Sequence, residues 1–156
     1  MVASVTTILL QALSTFVIAV FSTWLTIRLS QRKFRAERLW DRKAVAYERV
    51  IEAFHKAKRF SSENLDAVYE GREVLEERNI ELRTLAKEAR EEIRRAAEIG
   101  SFSLSELALK IVTNYEAELG DTKGIIMWHD YLDHDYAVTD RALKSFIAEA
   151  KRDLDQ

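Results

Sequence analysis

The chain has 156 residues, with 24 Lys and Arg against 26 Asp and Glu, four Gly, no Pro and no Cys. The lack of Cys excludes disulfides and thiolate metal sites, and the near balance of charge disfavours nucleic-acid binding through bulk charge. Because Pro and Gly punctuate irregular structure, their scarcity predicts an all-α fold of long helices with few tight turns.

The first segment, residues 1–27, contains an uncharged and mostly apolar run from Val2 to Ile27. As a helix this run would extend about 39 Å, against roughly 30 Å for the hydrocarbon core of a bilayer. No basic residue precedes it and no small-residue cleavage site follows it, so it fits a secretory signal peptide poorly. We predict a single transmembrane helix over 1–27.

A basic segment, residues 28–43, follows the predicted span. Such a segment attracts anionic lipid headgroups, so we predict a basic juxtamembrane helix in contact with the bilayer. Because positive charge stays on the cytoplasmic side, we expect a single pass through the inner membrane with the amino terminus outside. The cations are Arg28, Arg32, Lys33, Arg35, Arg38, Arg42 and Lys43.

Polar side chains fall mainly on one side of the predicted span. The sequence leaves three interpretations open: a lone anchor whose hydroxyls bond to their own backbone, a face that packs against other copies, and a face that lines a pore. We predict a homo-oligomer built through this polar face. Its residues are Thr7, Gln11, Ser14, Thr15 and Ser22.

Residues 44–156 are predicted to form a cytoplasmic antiparallel four-helix bundle. The first helix continues from the span to about Phe60, and polar residues predict a turn over residues 61–64. A second helix follows, with Gly71 as a weak point in its interior and Gly100 as its stop.

Two further helices complete the predicted bundle. Ser103 and Glu106 form a capping box, and Phe102 and Leu107 form a hydrophobic staple, which together predict the start of the third helix. The last helix is predicted to begin at about Asp133.

A stripe of cations on the second helix is the main candidate binding site. Spacings of four, three and four residues place the four charges on one side of a helix, where like charges repel unless an acidic helix or an anionic ligand faces them. A salt-bridged, solvated stripe and a binding site for a multiply charged phosphate both remain open. The stripe is Arg83, Lys87, Arg90 and Arg94, with Lys123 in the following glycine-containing loop as a fifth candidate.

The histidine-rich start of the last predicted helix is the other candidate site. His129, Asp133 and His134 have the spacing from which a metal site can start, but a hydrated, Asp-rich helix start accounts for the same residues. The HExxH motif, the nucleophile elbow and the phosphate-binding glycine loop are lacking. We therefore expect no enzymatic activity, no cofactor and no bound metal.

The whole layout, with an uncharged span, a basic collar and a small helical domain bearing an arginine stripe, resembles the small membrane effectors of bacterial antiphage systems. In particular, the layout resembles that of the accessory membrane proteins of type III CRISPR systems. The resemblance implies a soluble domain that binds a cyclic oligoadenylate and a membrane segment that disrupts the envelope. The alternative hypothesis is a non-enzymatic, membrane-tethered scaffold or assembly subunit, and a metal-dependent enzyme using the histidine cluster is a third.

Overall fold

Four α-helices form the described part of the chain, which contains no strand. The computed structural model describes the backbone of residues 2–99 and 102–155, and the side chains of residues 20–28, 30, 34, 37–99 and 102–155. The predicted all-α fold is confirmed. The helices are α1 Val2–Tyr69, α2 Glu76–Ile99, α3 Glu106–Gly120 and α4 Trp128–Leu154.

The first helix does not end at residues 61–64, so the turn predicted there is wrong. Ser61 and Asn64 are buried within α1. The Ser61 hydroxyl donates to the Lys58 carbonyl oxygen at 3.1 Å, and the Asn64 amide donates to the Phe60 carbonyl oxygen at 2.8 Å. Since both side chains find acceptors one turn back in their own helix, they do not interrupt it.

The turn lies instead at Gly71, which was predicted to lie inside the second helix. Gly71 has a φ of +65°, a conformation that suits glycine. The Arg72 N–H donates to the Ala67 carbonyl at 2.9 Å and the Gly71 N–H donates to the Val68 carbonyl at 3.1 Å. This pair of bonds is a Schellman motif, which ends α1. At the other end of α2, Gly100, the predicted stop, lies outside the described residues.

Ser105 caps α3, so the capping box predicted at Ser103 is wrong by two residues. The Ser105 hydroxyl oxygen accepts from the Ala108 N–H at 3.1 Å. The same hydroxyl donates to the Glu149 carboxylate on α4, a contact that a local sequence pattern does not reveal. This contact between helices explains why Ser105 is the capping residue.

The predicted staple and the predicted start of the last helix also differ from the structure. Phe102 is 90% exposed, so it does not form a staple with Leu107. The last helix begins at Trp128 rather than at about Asp133. Trp128 stacks on Tyr131 with ring centres 5.4 Å apart, which supports the additional turn.

Aromatic side chains from three helices pack in the centre of the bundle. Phe54 of α1 lies 5.0 Å from the ring centre of Tyr115 on α3 and 5.7 Å from that of Phe146 on α4. Phe146 also lies 5.4 Å from Tyr47. Ile93 of α2 joins the same buried cluster, so all four helices share one core. The predicted helical bundle is confirmed.

The chain divides into two compact units, residues 1–41 and 42–156. All core contacts and clefts described here lie in the second unit. Within the described part of the chain, we find no helix with the length and apolarity needed to cross a membrane. The side chains of residues 1–19, which make up most of the predicted span, lie outside the described residues.

Candidate functional site

Cationic side chains of α2 line the largest cleft described in the bundle, which has a volume of about 790 Å³. Positions three and four residues apart lie on one side of a helix, so α2 presents one row of charge to this cleft. The row contains all four cations of the predicted stripe: Arg83, Lys87, Arg90 and Arg94.

Aromatic side chains from the other helices also line the cleft. Trp128 and Tyr131 of α4 are stacked, with 16° between their ring planes. Phe60 of α1 meets Trp128 edge-on with ring centres 6.1 Å apart. The Arg83 guanidinium lies 5.7 Å from the centre of the Trp128 ring, a cation–π contact. The cleft therefore combines positive charge with flat apolar surfaces.

The four cations differ in what they already contact. Lys87 and Arg94 are exposed and form no ion pair within the described part of the chain. Two carboxylates, Glu91 and Glu116, also line the cleft, so its lining still carries more positive than negative side chains. Lys87 and Arg94 can therefore bind an anion without breaking an existing ion pair.

Arg90 is the exception, because it forms an ion pair with Asp135 of α4. The Arg90 side chain is 27% exposed and that of Asp135 is 0% exposed. One Nη2–Oδ1 hydrogen bond joins them, while Arg90 Nε and Asp135 Oδ2 have no hydrogen-bond partner among the described residues. Burial raises the pKa of Asp135, and the positive charge of Arg90 opposes this shift.

Two hydroxyls next to this ion pair are also buried without a hydrogen-bond partner in the described residues, Tyr115 OH and Thr139 Oγ1. The whole Asp-rich stretch around Asp133 and His134 was interpreted from the sequence as a hydrated helix start, so the pair was missed. The available signal was periodicity, since Asp135 lies three residues after Leu132 and four before Thr139, all of them buried on α4.

The remaining ligand candidate, Lys123, lies on the exposed loop after α3 and is not part of the cleft lining. Gly124 makes the turn beside it, with a φ of +83°. The loop contributes Thr122 to the lining instead.

The two histidines weighed as candidate metal ligands make separate contacts. His129 Nε2 lies 3.1 Å from Asp133 Oδ2, and both side chains are exposed. His134 Nε2 lies 3.0 Å from the Glu118 carbonyl oxygen on α3. Among the described residues, no group of three or more His, Cys, Asp or Glu side chains could hold a metal ion.

The predicted polar membrane face falls mostly on side chains outside the described set. Thr7, Gln11, Ser14 and Thr15 all lie there, whereas Ser22 is described and exposed. The Thr26 hydroxyl donates to the Ser22 carbonyl oxygen at 2.8 Å. A bond of this kind is expected for a lone anchor, but it does not test the other side chains of the face.

A second cleft of about 490 Å³ lies between the middle of α1 at Ala46 and Arg49, the second half of α2, and the residues just before α3. Its charges are mixed: Glu88, Glu91 and Glu92 lie with Arg49 and Arg95. Arg49 and Glu92 pair with each other at 3.1 Å. This cleft therefore lacks the excess of positive charge that distinguishes the larger one.

Comparisons with known proteins give no match: no family model, curated protein or solved structure is similar to this chain.

Proposed function

We propose that this chain is a membrane-anchored, oligomeric effector of bacterial antiviral defence. Its helical bundle binds an anionic ligand that carries an aromatic group, such as a cyclic oligonucleotide, and binding perturbs the membrane. The observation that carries the binding step is the composition of the larger cleft, whose lining combines four cations with two stacked aromatic rings.

The charge distribution favours an anion. Lys87 and Arg94 have no ion partner in the described residues, and the four cations of the lining outnumber its two carboxylates, Glu91 and Glu116. A guanidinium binds phosphate with paired N–H groups, and an ammonium binds it as a point charge. A phosphate or sulfate group on the α2 side of the cleft would contact both kinds of donor.

The aromatic pair favours a ligand with a flat ring. Trp128 is half-exposed beside the cleft, with Tyr131 stacked on it and Arg83 close to its ring. Stacking a nucleic-acid base on an aromatic side chain contributes about 1–3 kcal/mol. The cleft volume of about 790 Å³ is also within the usual range for small-molecule sites, roughly 300–1,000 Å³.

Calorimetric titration of the full chain in mild detergent tests the binding step with three probes: ATP, tripolyphosphate and adenosine. We expect ATP to bind at least about tenfold more tightly than either of the others, because it alone offers both charge and a ring. The double variant Lys87→Glu with Arg94→Glu should lose ATP binding. The matched control is Lys110→Glu with Lys151→Glu, which changes the same charge at exposed lysines outside the cleft.

Two results would contradict the binding proposal. One is that none of the three probes binds to the folded wild-type chain. The other is that the cleft variant binds ATP as tightly as the control variant does. Either result would favour the alternative function, a membrane-tethered scaffold.

The amino-terminal segment anchors the bundle in the inner membrane with its amino terminus outside. The uncharged run over residues 2–27 and the seven cations of residues 28–43 support this part of the proposal. A reporter fused after Gln156 should be active only in the cytoplasm, and the chain should stay in the membrane fraction after alkaline extraction. Periplasmic activity of the reporter would refute the orientation.

The polar membrane face joins copies of the chain and opens when ligand binds. A ligand can shift such an equilibrium only if it binds one arrangement of the bundle more tightly than the other. Gln11→Leu with Thr15→Leu should leave ATP binding intact but abolish both the oligomer in detergent and the leakage of dye from vesicles. The matched control is Leu13→Ile on the apolar side of the same segment, which should change neither.

A further inference from the structure

Arg90 differs from the other three cations of the cleft because a carboxylate of the protein already neutralises it. Asp135 is completely buried behind it, whereas Arg90 is partly exposed and lines the cleft. An anion in the cleft and the Asp135 carboxylate therefore compete for the same guanidinium.

The pairing between the two side chains is incomplete. Arginine and a carboxylate often form two parallel hydrogen bonds, whereas here one bond joins Nη2 to Oδ1. Arg90 Nε and Asp135 Oδ2, the atoms that a second bond would use, have no partner in the described residues. When the guanidinium turns toward the cleft, one hydrogen bond breaks, so the change costs less free energy than it would in a pair with two bonds.

Other groups around Asp135 could replace little of the positive charge and hydrogen bonding that Arg90 supplies to its carboxylate. On α1, the Ser61 hydroxyl approaches Asp135 but already donates to Lys58. On α3, Tyr115 is buried beside Arg90, and on α4 itself the charge of His134 acts only weakly on Asp135. Breaking the pair would leave a buried carboxylate without its main counter-charge, which is costly.

We propose that Asp135 masks Arg90, so that the resting cleft offers three cations to a ligand and the fourth only when the bond to Asp135 breaks. This inference rests on the proposed binding of an anion in the cleft. Asp135 acts through Arg90 and does not itself contact the ligand. By holding Arg90, Asp135 thus lowers the affinity of the cleft for an anion.

The test uses pyrene-1,3,6,8-tetrasulfonate, a flat ring with four permanent negative charges, titrated into the full chain in detergent. Asp135→Asn keeps the shape of the side chain but removes the competing charge. We expect this variant to bind the probe about tenfold more tightly than wild type, which corresponds to about 1.4 kcal/mol. Its affinity should also fall more steeply with added salt, because one more cation contacts the probe.

The variant Arg90→Gln with Asp135→Asn provides the matched control. It removes both charges, preserves the net charge of the chain and leaves no buried ion without a partner. In the wild type Asp135 neutralises Arg90, so the pair contributes little to the affinity for the probe. The double variant should therefore bind the probe within about threefold of wild type, with the same salt dependence. Thermal unfolding of each protein, followed by circular dichroism, verifies that all three are folded.

The outcomes separate the two proposals. If Asp135 holds Arg90 in a binding orientation instead of masking it, Asp135→Asn will bind the probe more weakly than wild type, and the inference is overturned. Equal affinity and equal salt dependence of the wild type and Asp135→Asn would overturn it as well. If the folded wild-type chain and both variants do not bind the probe, the proposed function fails together with the inference.

Discussion

Asp153, near the end of α4, is expected to stabilise the bundle through two residues of α1. Its Oδ2 accepts from the Tyr47 hydroxyl at 2.6 Å, and its Oδ1 lies 2.8 Å from Lys43 Nζ. The Asp153 side chain is only 14% exposed, while that of Lys43 is 31% exposed. We call these three side chains the α1–α4 clasp.

Removing the carboxylate should cost about 2–4 kcal/mol of unfolding free energy, since a hydrogen bond to a charged group contributes about 1.5–3 kcal/mol and the more exposed Lys43 contact contributes less. The assay is a double-mutant cycle with Asp153→Ala and Tyr47→Phe, measured by urea unfolding of the full chain in mild detergent. The coupling between the two changes should be about 1–2 kcal/mol. Glu52→Ala, which breaks the exposed pair with Lys56, should have no measurable effect.

The effect of Asp153→Ala should also depend on pH. Burial by itself would raise the pKa of Asp153, but the hydrogen bonds from Lys43 and Tyr47 outweigh it and hold the pKa below its usual value of 3.8. A carboxyl with a lowered pKa stabilises the folded state above its unfolded pKa and loses that contribution as pH falls through the folded one. The difference between wild type and variant should therefore shrink below pH 3.8. Additive effects in the cycle, within about 0.5 kcal/mol, would refute the clasp.

Three further substitutions test the fold by urea or thermal unfolding followed by circular dichroism. Phe146→Ala removes a fully buried ring that packs on two other aromatic residues, and it should cost about 3–5 kcal/mol. Ser105→Ala removes the cap of α3 and a hydrogen bond to Glu149, so it should cost about 1–2 kcal/mol, whereas Ser103→Ala should cost much less. At Gly71 an added Cβ would meet nothing within 4 Å, so the cost of Gly71→Ala, about 1 kcal/mol, should come from its positive φ alone.

Composition and periodicity predicted the parts of the fold that depend on local chemistry. The scarcity of Pro and Gly correctly predicted an all-α chain, and the spacing of the cationic row placed four charges on the side of α2 that lines the larger cleft. That a ligand binds there remains a prediction. The helix ends were less predictable, because the same residue types serve two purposes. Ser61 and Asn64 have the composition of a turn, but their side chains bond to carbonyls of their own helix.

The contacts between helices could not be predicted from sequence. The local pattern favours Ser103 as the cap, with Glu106 three residues later. The cap is Ser105, whose hydroxyl also contacts Glu149, far along the chain. In the same way, Asp135 follows Asp133 in an acidic stretch, yet it is buried while Asp133 is exposed. Which acid pairs with Arg90 depends on how α4 packs against α2, and the one-dimensional charge pattern does not contain that information.

The position of Asp135 and Asp153 on one helix gives α4 a specific part in the proposed response. Asp135 contacts Arg90, which lines the larger cleft, and Asp153 contacts α1 through the clasp. The two residues are about 27 Å apart along an uninterrupted helix. The bond between Arg90 and Asp135 is one of the contacts that hold α4 near its start. Because a packed helix shifts as a unit and does not deform continuously, loss of this contact can move α4 as a whole. The clasp holds the other end to Lys43 and Tyr47. If ligand binding breaks the first contact, the clasp is one of the contacts that carry the change to α1, beside the packing of Phe146 and the pair of Lys58 with Asp140. Its removal should therefore reduce membrane leakage at a given ligand occupancy and leave the affinity for ATP unchanged.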